Sequence, residues 1–169
     1  MNKKQIDELL ETIVVCVDSR EKSNSHVLNT FDKYNVKYEK RKLDSGDYCA
    51  YIPADGKLLK EDLWCNIVIE RKSGLDELSQ NLSRNRERFK REFARCDKQI
   101  ILMIENNTYS DICNHNYKSQ LLPKAFLALL HSFVVKYGSS SVFIEDKKVV
   151  SLFIYKTMYY ELREQLKYL

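Results

Sequence analysis

The sequence predicts an α/β fold, because segments with helically spaced apolar residues alternate with short β-branched runs and are separated by turn chemistry. Two runs carry the strand reading best: Thr12-Ile13-Val14-Val15-Cys16-Val17, and Asn66-Ile67-Val68-Ile69-Glu70-Arg71. Both are apolar and β-branched and end on charged residues, as buried strands do.

Taken in order, residues 3–11 suit a short polar helix, and the strand 12–17 ends at Asp18. Ser25 is a candidate N-cap for a helix reaching about Tyr34, with Val27, Leu28 and Phe31 on one face. Residues 37–42 resemble a second strand, and Asp44-Ser45-Gly46 is a turn. Residues 47–52, the turn Pro53-Ala54-Asp55-Gly56 and residues 66–71 then suggest an antiparallel hairpin or meander. Residues 75–96 read as helix with a candidate break near Ser83, followed by a strand over 99–105. Residues 120–137 are apolar almost all round, which predicts a buried or interface helix. A short strand over 141–144 precedes a last helix over 148–169, with Leu152, Tyr155, Tyr159, Leu162 and Leu166 at helical spacing. This succession implies a sheet of four to six strands.

With 169 residues and 20.0 kDa, one hydrophobic core is expected and a multi-domain machine is excluded. The 44% hydrophobic and 31% charged content is that of a folding globular domain. A formal charge of +4 is too mild to establish a polyanion partner, but its distribution is uneven. Residues 84–98 hold seven cations and three anions, so this window carries the whole net charge. The cysteines Cys16, Cys49, Cys65, Cys96 and Cys113 are odd in number and form no CxxC pair, which predicts buried free thiols rather than disulfides or a zinc site. His26, His115 and His131 share no ligand spacing. The first ten residues lack an apolar signal core, and no run reaches the length of a membrane span. An intracellular protein without a membrane partner is expected, cytoplasmic in a prokaryotic or phage-like setting and nuclear in a eukaryotic one.

Four acids fall where strands end or begin: Asp18, Glu21 one short turn later, Asp47 and Glu70. Strand ends are where α/β sheets present their chemistry, although any one acid is equally a solvated strand cap. Alternation along residues 66–72 places Glu70 and Lys72 on one side of the sheet. Hard carboxylate oxygens attract Mg²⁺ or Mn²⁺, and such ions lower the pKa of a bound water and polarise a phosphodiester. A neighbouring lysine then orients the water or stabilises developing charge.

Three stretches, Val17-Asp18-Ser19-Arg20-Glu21, Gly46-Asp47-Tyr48 and Glu70-Arg71-Lys72-Ser73-Gly74-Leu75-Asp76, together resemble the XPF/Mus/Hef family of structure-specific nucleases. The resemblance implies a restriction-endonuclease-like fold, with a central mixed sheet flanked by helices. It implies Asp47 and Glu70 as central metal ligands, Asp18 and Glu21 completing the acidic cluster, and Lys72 as the catalytic lysine. Arg71 and Arg20 match family arginines near the catalytic site, and Asp76 is expected to cap the following helix.

On a continuous helix Arg84, Arg88, Arg91 and Arg95 share one face opposite Leu82, Phe89 and Phe93, which suits either a solvated surface or DNA-backbone binding. Arg86 departs from the stripe and matches a family arginine, so it is a candidate for reaching the catalytic site. The expectation is a single nuclease domain over 1–169. Its signature-bearing core spans about 12–105, and a helical, dimer-forming part about 119–169. The leading function is a Mg²⁺- or Mn²⁺-dependent DNA endonuclease acting on branched, flap or fork DNA. A homodimer is expected, and a helicase or DNA-binding protein is the partner that would compensate for the companion domains common in the family. A catalytically silent DNA-binding or scaffold subunit and an RNA-directed nuclease are the competing readings.

Overall fold

Residues Met1–Leu169 are all described by the computed structural model. In chain order the elements are α1 (Lys3–Leu10), β1 (Val14–Asp18), α2 (Ser25–Lys33), β2 (Tyr38–Arg41), β3 (Tyr48–Ile52), β4 (Leu63–Trp64) and β5 (Ile67–Lys72). They continue with α3 (Leu75–Leu82), α4 (Arg86–Arg95), β6 (Gln99–Glu105), α5 (Tyr109–Cys113), α6 (Pro123–Tyr137), β7 (Ser140–Ile144) and α7 (Val150–Lys167). The seven strands form one mixed sheet in the order β2-β1-β3-β5-β6-β7, with β4 paired to β3. The α/β expectation holds, with more strands than expected. No helix is long and apolar enough to cross a membrane.

Packing divides the chain into two units, Met1–Val68 with Lys148–Leu169, and Ile69–Lys147. In the first, α1 opens on a capping box: Gln5 N donates to Asn2 Oδ1 at 3.0 Å, and Asn2 N donates to Gln5 Oε1 at 2.9 Å. Ile6, Leu9 and Leu10 turn inward from it. β1 is parallel to β2 and antiparallel to β3, with Cys16 opposite both Glu39 and Cys49. Asn24, not Ser25, occupies the N-cap of α2, and its side chain makes no capping bond. Val27 and Phe31 bury the inner face of α2, and Phe31 meets the Tyr38 ring at 5.8 Å.

Helix α7 closes this unit, and its buried stripe differs from the expected one. Val150, Ile154, Met158, Leu162 and Leu166 face inward, whereas Leu152 is 55% exposed and Tyr155 and Tyr159 are half-buried. Two neighbouring stripes share Leu162 and Leu166. The aliphatic one is buried because tyrosine hydroxyls on the other keep access to water.

In the second unit the rings of Phe89, Phe93 and Phe133 lie 4.6–4.7 Å apart and join α4 to α6. The expected break separates α3 from α4 at residues 83–85, so Arg84 lies outside the helix that carries the other arginines. β6 and β7 pair in parallel. Helix α6 begins on Pro123 and ends at Gly138, whose φ of 58° is the left-handed geometry that glycine adopts freely. Only Phe126, Leu130 and Phe133 of α6 are buried, while Leu122 and Val135 are 66% and 80% exposed. Of the cysteines, Cys16, Cys49 and Cys65 are buried as expected, but Cys113 is exposed because it ends the short α5.

The two stripes of α7 make opposite predictions. Leu162→Ala should destabilise the protein by roughly 2–5 kcal/mol, the usual range for a buried leucine, and Leu152→Ala should change stability by less than about 0.5 kcal/mol. Urea denaturation of both variants checks the assignment; equal losses would overturn it.

Candidate functional site

The signature residues fall into both units. In the first, β1 delivers Asp18 to the sheet's end, where it is 2% exposed. Arg20 wraps it: the Arg20 backbone N and Nε donate to Asp18 Oδ1 at 2.7 and 2.9 Å, and Nη2 donates to Oδ2 at 2.6 Å. Leu43 N also donates to Asp18 Oδ2 at 3.2 Å, while Arg20 Nη2 reaches the Leu43 carbonyl at 2.8 Å. Burial alone would raise the Asp18 carboxyl; the hydrogen bonds from Arg20 and Leu43 outweigh it and hold the group below the usual carboxylate range. Both Asp18 oxygens are therefore engaged, and the residue fixes Arg20 and the 41–47 turn.

The Asp18 backbone contributes too. Its N donates to the Asp47 carbonyl at 2.8 Å, so the end of β1 fixes the start of β3. Gly46, at φ 71°, makes the left-handed turn that brings Asp47 there. Asp47 is half-buried, and Glu21 is held one turn after Asp18 through its N–H to the Asp18 carbonyl at 3.0 Å.

In the second unit, β5 alternates as the sequence requires. Glu70 and Lys72 leave one side and are joined by Lys72 Nζ to Glu70 Oε1 at 2.7 Å. The Lys72 side chain is 6% exposed, with its ammonium 4.9 Å from the centre of the Phe89 ring and 3.6 Å from Glu77 Oε1. Burial pushes the Glu70 carboxyl up against the lowering effect of Lys72, with Glu92 and Glu77 adding to the rise. Ser73 N and Oγ bind Glu77 Oε2 at 2.9 and 2.8 Å, fixing Glu77 beside the pair.

Arg71 leaves the opposite side of β5 and is buried against Glu105. Its Nε donates to Oε1, and its Nη2 to Oε2 at 3.0 Å. This two-point pair joins β5 to β6 inside the unit, so Arg71 points away from Glu70 and Lys72 and ties their strand to its neighbour. Asp76 also differs from expectation. Gly74 is the N-cap of α3, and Asp76 Oδ1 instead accepts from Lys118 N and Ser119 N at 2.7 and 3.2 Å, anchoring the segment before α6.

The arginines are exposed as a group: Arg84, Arg86, Arg88, Arg91 and Arg95 all face solvent. Arg86 begins α4 and is exposed to solvent. Arg88 pairs with Glu92 at 3.0 Å, and Lys90 with Glu87 at 2.7 Å. Glu105, Glu77 and Phe89 were missed as parts of the site. Glu105 carries the same signal as Glu70, an acid closing an apolar strand.

Among these donors a hard divalent cation finds its chemistry in part. Lys72 occupies only Oε1 of Glu70, so Oε2 of this buried carboxylate is an oxygen donor whose desolvation a cation would offset. Asp18 has no such freedom. No three His, Cys, Asp or Glu side chains are gathered into one ligand group, so the acidic cluster of Asp18, Glu21 and Asp47 is not assembled as three ligands within the first unit.

Comparison with known proteins places this chain. The family model described as the ERCC4 domain matches residues 17–157. A search of curated proteins found no match. Among solved structures, the chain is similar to XPF from Aeropyrum pernix at 18% identity and a TM-score of 0.64, covering 92% of this chain and 68% of that one. It is also similar to XPF from Aeropyrum pernix in complex with DNA, at 20% identity and a TM-score of 0.61, covering 91% of this chain and 65% of that one. The chain thus spans about two thirds of the length of those proteins, and at such identities the likeness establishes the fold. Since the family match covers most of the chain, from the residue before Asp18 to beyond β7, the chain belongs to the ERCC4 domain family.

Proposed function

We propose that this protein is a divalent-metal-dependent DNA endonuclease that hydrolyses phosphodiesters, with a preference for branched, flap or fork DNA, acting as a homodimer. The observation that carries the reading is the buried Glu70–Lys72 pair, 2.7 Å apart, in a chain with every position of the nuclease signature filled. DNA in a related solved complex supports the substrate class.

By their place in the signature, Asp47 and Glu70 are carboxylates that would hold Mg²⁺ or Mn²⁺, as is Glu21, one turn after Asp18. Such an ion lowers the pKa of a bound water and polarises the phosphodiester. The Lys72 ammonium, held between Glu70 and Glu77, supplies positive charge where the transition state gains negative charge. Phe89 and Ser73, through Glu77, restrict its movement. Asp18 holds Arg20, whose side chain is 62% exposed and whose guanidinium has the planar geometry that suits a phosphate oxygen. The exposed arginines of α4, together with Arg84, suit the DNA backbone without reading its sequence.

Four outcomes are expected. Purified protein should cut fork and flap DNA in Mg²⁺ or Mn²⁺ and stop in EDTA. Glu70→Gln and Lys72→Met should each lower the single-turnover rate by at least about 10²-fold, while both variants still bind DNA. Wild-type rates in both variants would sink the assignment, and binding without any cleavage by the wild type would favour a silent subunit. Arg91→Ala should weaken DNA binding regardless of sequence and lower the slope of log affinity against log salt by about one; an unchanged slope would remove Arg91 from the interface.

The fourth outcome concerns acid. Asp18 has a folded pKa below its unfolded one, so its contribution is present above the unfolded value near 3.8 and is lost as pH falls through the folded value. Asp18→Asn should therefore lower stability at neutral pH and flatten the loss of stability below about pH 4. A parallel acid limb in mutant and wild type would contradict the Arg20 pairing.

A further inference from the structure

Strand register places a second group of side chains on the face that Asp18 shares. In the first unit, Asp18 is opposite Arg41, Cys16 is opposite Glu39 and Cys49, Val14 is opposite Tyr51, and Tyr51 is opposite Trp64. Directly paired residues share a sheet face. Arg41, Tyr51 and Trp64 therefore stand on the face where β1 ends in its acid. On the other face of these strands Val15, Val17, Ala50 and Ile52 are buried, and Tyr38 packs against α2.

The group is ordered and half-exposed. The Tyr51 and Trp64 rings stack at 4.5 Å between centres, with 24° between their planes. The Arg41 guanidinium lies 5.1 Å from the centre of the Trp64 ring. Glu39 steers Arg41 through Nη1–Oε1 at 3.1 Å and also accepts from the Cys16 thiol at 3.5 Å. Burial, aided by Glu39, pushes that thiol up to about 12, so Cys16 is a neutral floor for the group rather than a nucleophile. The Arg41 side chain is 47% exposed, and both rings are partly open to solvent. Stacked aromatics beside a guanidinium present a π surface to any base and a cation to its phosphate, while discriminating little among sequences. A base pair inside a duplex offers no free face, so such a surface selects unpaired bases.

We propose that Tyr51, Trp64 and Arg41 form a stacking shelf for an unpaired nucleobase of the DNA strand, with Arg41 on the adjoining phosphate. This deepens the nuclease reading and rests on it for the identity of the ligand. It supplies a structural basis for preferring DNA with single-stranded segments. From Val14 to Asp18 is four residues, about 13 Å along the strand, so a base on the shelf stays close in the chain of nucleotides to the acid end of β1.

Trp64 is the only tryptophan in the chain, so its fluorescence reports on the shelf directly. The experiment titrates the full protein in EDTA with a single-stranded oligothymidylate and with a blunt duplex of equal length, following Trp64 emission and, separately, the anisotropy of labelled DNA. The single strand should quench Trp64 saturably, and the duplex should bind with little quenching. Tyr51→Ala should weaken single-strand binding by about tenfold or more, since one stacked base contributes roughly 1–3 kcal/mol, and leave duplex affinity within about twofold. Arg41→Gln, at an exposed position, provides a second variant with the same expected direction. Single-strand binding without quenching, no single-strand binding, or equal affinity of Arg41→Gln and wild type for the single strand would overturn the shelf. The cleavage panel reads separately: quenching with no cleavage in Mg²⁺ leaves the shelf standing and removes the nuclease reading, while cleavage without quenching does the reverse.

Discussion

Burial of charge along one strand is the constraint on which the second unit depends. Glu70, Arg71 and Lys72 are consecutive, and all three side chains are largely withdrawn from water. An isolated ion so placed carries a penalty of several kcal/mol, so each needs a partner fixed in advance. Alternation solves half of this by sending Glu70 and Lys72 to one side, where they neutralise each other, and Arg71 to the other. Arg71 then requires an acid on the adjacent strand, and Glu105 is 0% exposed at that place. The β5–β6 pairing is thereby tied to a single register, because a one-residue slip would strand a guanidinium against an apolar side chain.

The same logic organises the first unit with fewer charges. Asp18 is buried only because Arg20 and Leu43 satisfy its oxygens, and the turn carrying Asp47 is held by the backbone bond from Asp18 to its carbonyl. In each unit an ion pair with a buried acid serves as scaffold for a neighbouring carboxylate of the signature. Arg20–Asp18 supports Asp47, and Arg71–Glu105 supports the strand of Glu70 and Lys72. Rigid support of this kind fixes the positions of the neighbouring polar side chains.

Much of this was legible in the sequence. The β-branched runs gave β1 and β5, the period-two alternation gave the shared side of Glu70 and Lys72, and the motif spacing gave the family. What escaped has physical reasons. β4 is two residues long and α5 only five, too short for a periodic signal. The burial of α7 depended on choosing between two stripes that share two leucines. Partners such as Glu105 for Arg71, and Lys118 and Ser119 for Asp76, are set by tertiary approach over tens of residues. The arginine stripe lost Arg84 because the 83–85 break changes helical phase, and periodicity cannot cross such a break.

Helix α7 has a consequence for how the molecule is made. The second unit is complete once residue 147 has been synthesised, whereas the first unit holds residues 1–68 but is finished only by 148–169. Until then the surfaces of α1, α2 and β3 that α7 covers stay open, with Leu10, Phe31 and Ile52 among the residues buried in the finished unit. Synthesis therefore separates the two halves of the first unit in time, and domains that fold as they emerge would form the central segment first. The amino-terminal acids Asp18 and Asp47 then reach their final setting last, so a chain interrupted before α7 carries these two on an unfinished frame while Glu70 and Lys72 already stand on a finished one.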